Sequence, residues 1–107
     1  CTLTEHDIQT MITVELCRRG CIVHRTNSGV FYTKDGTPVR IGIPGMSDLQ
    51  GHRPDGRCFY LEVKKPGQKP RENQRRFLDA MRSTGAIAGW ADSVEKAAEV
   101  VENGDTI

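Results

Sequence analysis

The 107-residue chain predicts an α/β domain of order roughly αβββαβα, on three observations. Two segments carry apolar residues at helical spacing. One short run, Phe59 to Lys64, alternates with period two. Glycine, proline, asparagine and aspartate punctuate the stretches between them. At this length one unit, residues 1–107, is expected, with a modest buried core.

From Thr4 to Arg19, Ile8, Met11, Ile12, Leu16 and Cys17 fall close to helical spacing, with Thr4 as N-cap and Gly20 as terminator. "CIVHRT" (21–26) is β-branched enough for a strand, which "NSG" (27–29) ends. "VFYTKDGTPVRIG" reads as two short strands around a two-residue turn at Asp35-Gly36, with Pro38 keeping the second at an edge. "IPGMSDLQG" reads as loop and leads to a turn at Pro54-Asp55-Gly56. The clearest strand, Phe59 to Lys64, turns Phe59, Leu61 and Val63 to one face and Tyr60, Glu62 and Lys64 to the other. Pro70 suits the first turn of a helix to about Ser83, with the stripe Gln74, Phe77, Leu78, Met81 and a stop at Gly85. "AIAGWA" (86–91) reads as a short buried strand. Asp92 with Glu95 resembles a capping box opening a last helix through about Glu102.

A hydrophobic fraction of 36% and a charged fraction of 27% suit a solvated surface. No apolar run approaches the roughly 18 residues of a membrane span, and nothing reads as a signal peptide. The four cysteines lack the spacing of a disulfide framework, so reduced thiols in a cytoplasmic setting are expected. Net charge is only +1, but nine of the fifteen basic residues lie between Arg53 and Arg82, and one basic side follows from that distribution.

Singly, Asp48 suits an Asx turn, and Glu62 with Lys64 an exposed polar strand face. Together they suggest chemistry. Two carboxylates approaching from a loop and a strand repel unless a proton or cation intervenes. Ligation by Asp48, Glu62 and a backbone carbonyl suits Mg²⁺ or Mn²⁺, whereas zinc prefers nitrogen or sulfur. Lys64, beside Glu62, can activate water or act as a fixed cation against charge growing on a phosphoryl centre, and the residues leave both open.

"SD" followed fourteen residues later by "EVK" resembles the PD-(D/E)XK nuclease superfamily, with Ser47 in place of the usual proline. "DIQ", "NSG", "GMSDLQG", "YLEVKKPGQKP" and "ENQRRFLDAM", in that order, resemble its VRR-NUC subfamily, most of all its small stand-alone phage and bacterial members. The resemblance implies a restriction-endonuclease-like αβββαβ core with a mixed sheet flanked by helices, here followed by a C-terminal helix. It implies a Mg²⁺- or Mn²⁺-dependent phosphodiesterase acting on DNA, often a homodimer on branched structures such as four-way junctions, in the cytoplasm of a bacterium or phage-infected host. Carried over by position, Asp48 and Glu62 are the metal-binding acids, Val63 lends its backbone carbonyl, Lys64 is the catalytic lysine and Gln74 the active-site glutamine. Asp7 stands where the family commonly has a glutamate and is expected to act through an intervening water, with Gln9 in support.

Lys65, Lys69, Arg71 and Arg75, beside the lysine of the motif, are expected to contact phosphates. Cys17, Cys21 and His24 lack a spaced fourth ligand, so no zinc is assigned. His52 lies near the acids in sequence but reads as a surface histidine, and Trp90 as a packing residue rather than a stacking platform. The hairpin residues Phe31, Tyr32, Val39 and Ile41 are the candidate dimer surface. The competing class is a non-enzymatic DNA-binding module or a nuclease subunit that needs a partner protein. Binding alone gives no reason to gather carboxylates near a polyanion.

Overall fold

The strand expected around Phe59 lies at the centre of the fold. A computed structural model of the chain describes residues 3–26, 29–41 and 45–104. Helix α1 (Glu5–Arg18) precedes strands β1 (Ile22–Arg25), β2 (Gly29–Tyr32), β3 (Pro38–Ile41), β4 (Leu49–His52) and β5 (Cys58–Val63). Helix α2 (Glu72–Ser83), strand β6 (Ile87–Ala91) and helix α3 (Val94–Asn103) follow. The main sheet has the order β1-β4-β5-β6, and β2 with β3 forms a separate two-stranded sheet. β4 runs antiparallel to β1 and β5, while β5 and β6 are parallel, so the sheet is mixed.

The main sheet keeps the expected αβββαβ order, with the hairpin outside it. One strand differs from the sequence expectation: β4 begins within the stretch expected as loop, residues 43–51, and runs from Leu49 to His52. Short as it is, β4 is paired on both sides, and Gly51 makes that approach possible. A Cβ there would lie 2.0 Å from the Ile22 carbonyl oxygen and 2.8 Å from the Phe59 ring.

Alternation along β5 sends Phe59, Leu61 and Val63, all fully buried, into a core shared with Ile8, Ile12 and Leu16 of α1 and with Ala97, Val100 and Val101 of α3. The opposite face is covered as well. There Tyr60 and Trp90 pack with Phe77 and Leu78 of α2, and Tyr60 meets Phe77 edge-on at 5.6 Å. Covering both faces buries the centre of the sheet and gives any polar group on it a dry environment.

Local boundaries differ from the sequence reading for identifiable reasons. Pro70 lies one residue before the N-cap of α2, Arg71. α3 is capped by Ser93, whose Oγ accepts from the Lys96 N–H, rather than by Asp92. The hairpin loop at Asp35-Gly36 has three residues, 34–36, rather than two, while that at Pro54-Asp55-Gly56 is as expected; Gly36 N–H donates to Thr33 O and Gly56 N–H to Arg53 O, each glycine with positive φ. Such a turn needs its left-handed residue after the type I pair, the place Gly36 and Gly56 occupy. Asn27 and Ser28 of "NSG" and residues 42–44 lie outside the described residues.

Candidate active site

Asp48 immediately precedes β4, and Glu62 is the fifth residue of β5. The antiparallel register pairs Leu49 with Leu61, which sets the two acids side by side at one end of the pair. They hold each other's strand. Glu62 Oε1 accepts from the Asp48 N–H at 3.1 Å, and Asp48 Oδ2 accepts from the Val63 N–H at 2.9 Å. From the other side, the Thr26 N–H donates to Asp48 O at 3.1 Å and the Thr26 hydroxyl to Ser47 O. Ser47 is buried, and its own hydroxyl is satisfied by Leu49 O at 3.1 Å.

Glu62 is only 1% exposed. Burial drives its pKa up to about 9, a hydrogen bond to the Asp48 carboxyl and repulsion from it add to the shift, and Lys64 opposes it. Its Oε2 is buried without a hydrogen-bond partner, and Lys64 Nζ, 3.8 Å away, is beyond hydrogen-bonding reach. An orphaned carboxylate oxygen beside a second acid is an arrangement that a cation completes. Among the described residues no three His, Cys, Asp or Glu side chains form a metal cluster. The donors therefore number two acids plus backbone, a set that fits Mg²⁺, which binds through one or two carboxylates and keeps positions for water and phosphate.

Gln74 is buried in the first turn of α2, where its Oε1 accepts from the Arg71 N–H at 2.8 Å. The loop before Asp48 is seated against that turn. Gly45 has φ +79°, and a Cβ on it would lie 2.4 Å from Asn73 O. This contact brings the Asp48 loop to the helix of Gln74.

Asp7 is not brought into this group. It is exposed, and its carboxylate accepts from the Thr4 N–H at 2.9 Å while Thr4 Oγ1 accepts from the Asp7 N–H at 3.1 Å. This capping box explains the position: the Thr4 N–H holds the Asp7 carboxyl below its usual range. The Thr4-x-x-Asp7 spacing that announces it is visible in sequence. Gln9 is half-buried on α1. His52 is exposed at the end of β4 away from Asp48. Thr26 was missed because a threonine ending a strand carries no signature of its own.

The basic residues divide by their partners. Arg18 and Arg19 pair with Glu15, Arg53 with Asp55, Arg76 with Glu72 and Arg82 with Asp79. Lys65, Lys69, Arg71 and Arg75 are exposed and, among the described residues, form no ion pair. Arg75 instead donates to Pro70 O at 3.2 Å.

The VRR-NUC domain model matches residues 32–95, a span containing Asp48, Glu62, Lys64 and Gln74. A solved structure described as a VRR_NUC domain superposes with a TM-score of 0.67 at 22% sequence identity, covering 92% of this chain and 94% of that one. At that identity the likeness is one of fold. A comparison with curated proteins finds no match.

Proposed function

Because the chain belongs to the VRR-NUC domain family, a family of nuclease domains, we propose that it is a metal-dependent endonuclease that hydrolyses DNA phosphodiester bonds. The observation that carries this reading is the buried pair Asp48 and Glu62, with one carboxylate oxygen unpartnered and Lys64 beside it. The proposed unit is the single domain 1–107, working in the cytoplasm of a bacterium or phage-infected cell.

Asp48, Glu62 and the Val63 carbonyl would hold Mg²⁺ or Mn²⁺. When bound, such an ion supplies Lewis acidity toward a phosphoryl oxygen and neutralises charge. Lys64 orients the attacking water and stands as a cation against the charge that grows on the non-bridging oxygens. The water oxygen forms the new bond to phosphorus in line with the departing 3′ oxygen. The water gives up one proton to solvent, the bond between phosphorus and the 3′ oxygen breaks with its electron pair onto that oxygen, and the 3′ oxygen takes up a proton, leaving a 5′-phosphate and a 3′-hydroxyl. The Oε1 of Gln74 is engaged by Arg71, so its amide N–H is the group available to the substrate. Asp7 is left out, since its carboxylate serves the α1 cap. Lys65, Lys69, Arg71 and Arg75 contact phosphates.

Branched DNA, such as a four-way junction, is the preferred substrate, cut by a homodimer because two strands need two sites. Phe31, Tyr32 and Val39 support a self-association surface, being 51%, 72% and 43% exposed on one hairpin. Sedimentation at micromolar concentration is expected to show a dimer, and a monomer there removes this part of the reading. The activity itself is tested on linear, flapped and four-way DNA with Mg²⁺, Mn²⁺ or EDTA. No metal-dependent cutting on any substrate, or full activity in Lys64→Ala, overturns it.

A further inference from the structure

Trp90 is register-paired with Glu62 across the parallel β5–β6 ladder. Its indole therefore leaves the sheet on the face of the acid pair, one strand nearer the edge. Where α2 passes β6, packing leaves a cavity of about 360 Å³ lined by Lys69, Arg75, Leu78, Asp79, Arg82 and Trp90. The four helical residues form one i, i+3, i+4, i+7 stripe, and Lys69 enters from the connection that begins at Lys64. Lys96 Nζ lies 3.3 Å from the indole centroid. One half-buried aromatic ring is thus surrounded by four cations.

A tryptophan serving only as packing needs no such rim. Asp79 bonds Arg82 at 3.1 Å, and Ala88 O accepts from Arg82 Nε at 3.2 Å, so Arg82 is a fixed wall. Lys69 and Arg75 have no carboxylate partner among the described residues, and they stand at the end nearer Lys64. An aromatic face beside uncompensated cations is the chemistry that takes a nucleobase together with its phosphodiester. The volume lies at the small end of ligand pockets and admits one unpaired nucleotide, not a duplex.

We propose that this cavity holds an unpaired deoxynucleotide of the bound DNA, with the base against Trp90 and the phosphodiester between Lys69 and Arg75. The substrate class is then DNA with a single-stranded segment beside the bond to be cut. This inference rests on the nuclease reading above, and its test separates the two.

Trp90 is the sole tryptophan of the chain, so its fluorescence reports the cavity directly. The full chain is titrated in EDTA with a thymidine hexanucleotide, and the affinity is measured in parallel by anisotropy of the labelled hexamer. Saturable quenching with matching affinity is expected, and a longer, stably paired blunt-ended duplex should give none. Trp90→Leu should weaken hexamer binding about tenfold, and Trp90→Phe, which keeps a stacking ring, should retain most of it. If circular dichroism shows that Trp90→Leu does not fold, the wild-type quench and the Lys69→Ala/Arg75→Ala variant, which should abolish it, decide the question. No quench up to millimolar hexamer, or unchanged affinity in a folded Trp90→Leu, overturns the proposal. Metal-dependent cutting without quench removes the nucleotide site and leaves the nuclease. Quench without cutting on any DNA leaves the cavity and removes the nuclease.

Discussion

Glu62 enters the fold as a neutral carboxyl over most of the working pH range. Its ordinary pKa of 4.5 is pushed up to about 9, first by burial and then by Asp48. The folded chain holds this proton more tightly than the unfolded one. Its stabilising contribution is therefore full below about pH 4.5 and is lost as pH rises toward about 9. In EDTA the melting temperature is expected to fall across that window, and Glu62→Gln, which mimics the neutral group, should flatten the fall. Added Mg²⁺ should restore stability at the alkaline end, because the cation replaces the proton. The same Glu62→Gln chain should fold as well as the parent at neutral pH yet fail to cut. Lys64→Ala is expected to lower cutting by about 10²- to 10³-fold, read as single-turnover rates at saturating metal. The positions of Asp48, Glu62 and Lys64 were legible in sequence because period two and a short motif specify them. The burial of Glu62 was not, since "YLEVK" says nothing about the helix that covers the polar side of its strand.

The elements divide in the same way. β5 was readable because Phe59, Leu61 and Val63 alternate cleanly, whereas β4 was not, because its four residues include a glycine and sit within a glycine-rich stretch. Its identity as a strand comes from partners on both sides, which is tertiary information. The caps show a subtler case. Thr4 was recognisable as a cap, but the reciprocal use of Asp7 turns a candidate ligand into part of a helix start. Two glycines carry element-scale predictions. Gly45→Ala should cost about 1–2 kcal/mol from the left-handed backbone alone, and more from contact with Asn73 O. Since it lifts the Asp48 loop off α2, cutting should fall more than thermal stability does. Gly51→Ala, directed at the Ile22 carbonyl, should cost about 3 kcal/mol by forcing β1 away from β4, read in urea denaturation.

Over the whole molecule the charge is nearly balanced, yet the balance is uneven: several arginines are neutralised by neighbouring acids, while four cations near Lys64 have no acid partner among the described residues. If those four meet phosphates, Lys65 and Arg71 on the duplex and Lys69 and Arg75 on an unpaired segment, log affinity for flapped DNA in EDTA should fall with log salt at a slope of about −3.2, from about −0.9 per duplex contact and about −0.7 per single-strand contact. Replacing any one of Lys65, Lys69, Arg71 or Arg75 by alanine should reduce that slope by about 1. A slope near zero would remove these residues from the interface. The mixed sheet also bears on how the chain reaches its folded state. Asp48 and Glu62 are carried by one local hairpin closed by a tight turn, whereas the parallel partner β6 arrives only after the whole of α2. Low sequence separation favours early closure of that hairpin. The two carboxyls thus meet while the rest of the core is still forming and both are solvated, and the burial that drives the Glu62 shift comes only when α2 and β6 cover the sheet. The unfolding rate in EDTA should accordingly rise with pH, while the refolding rate changes little.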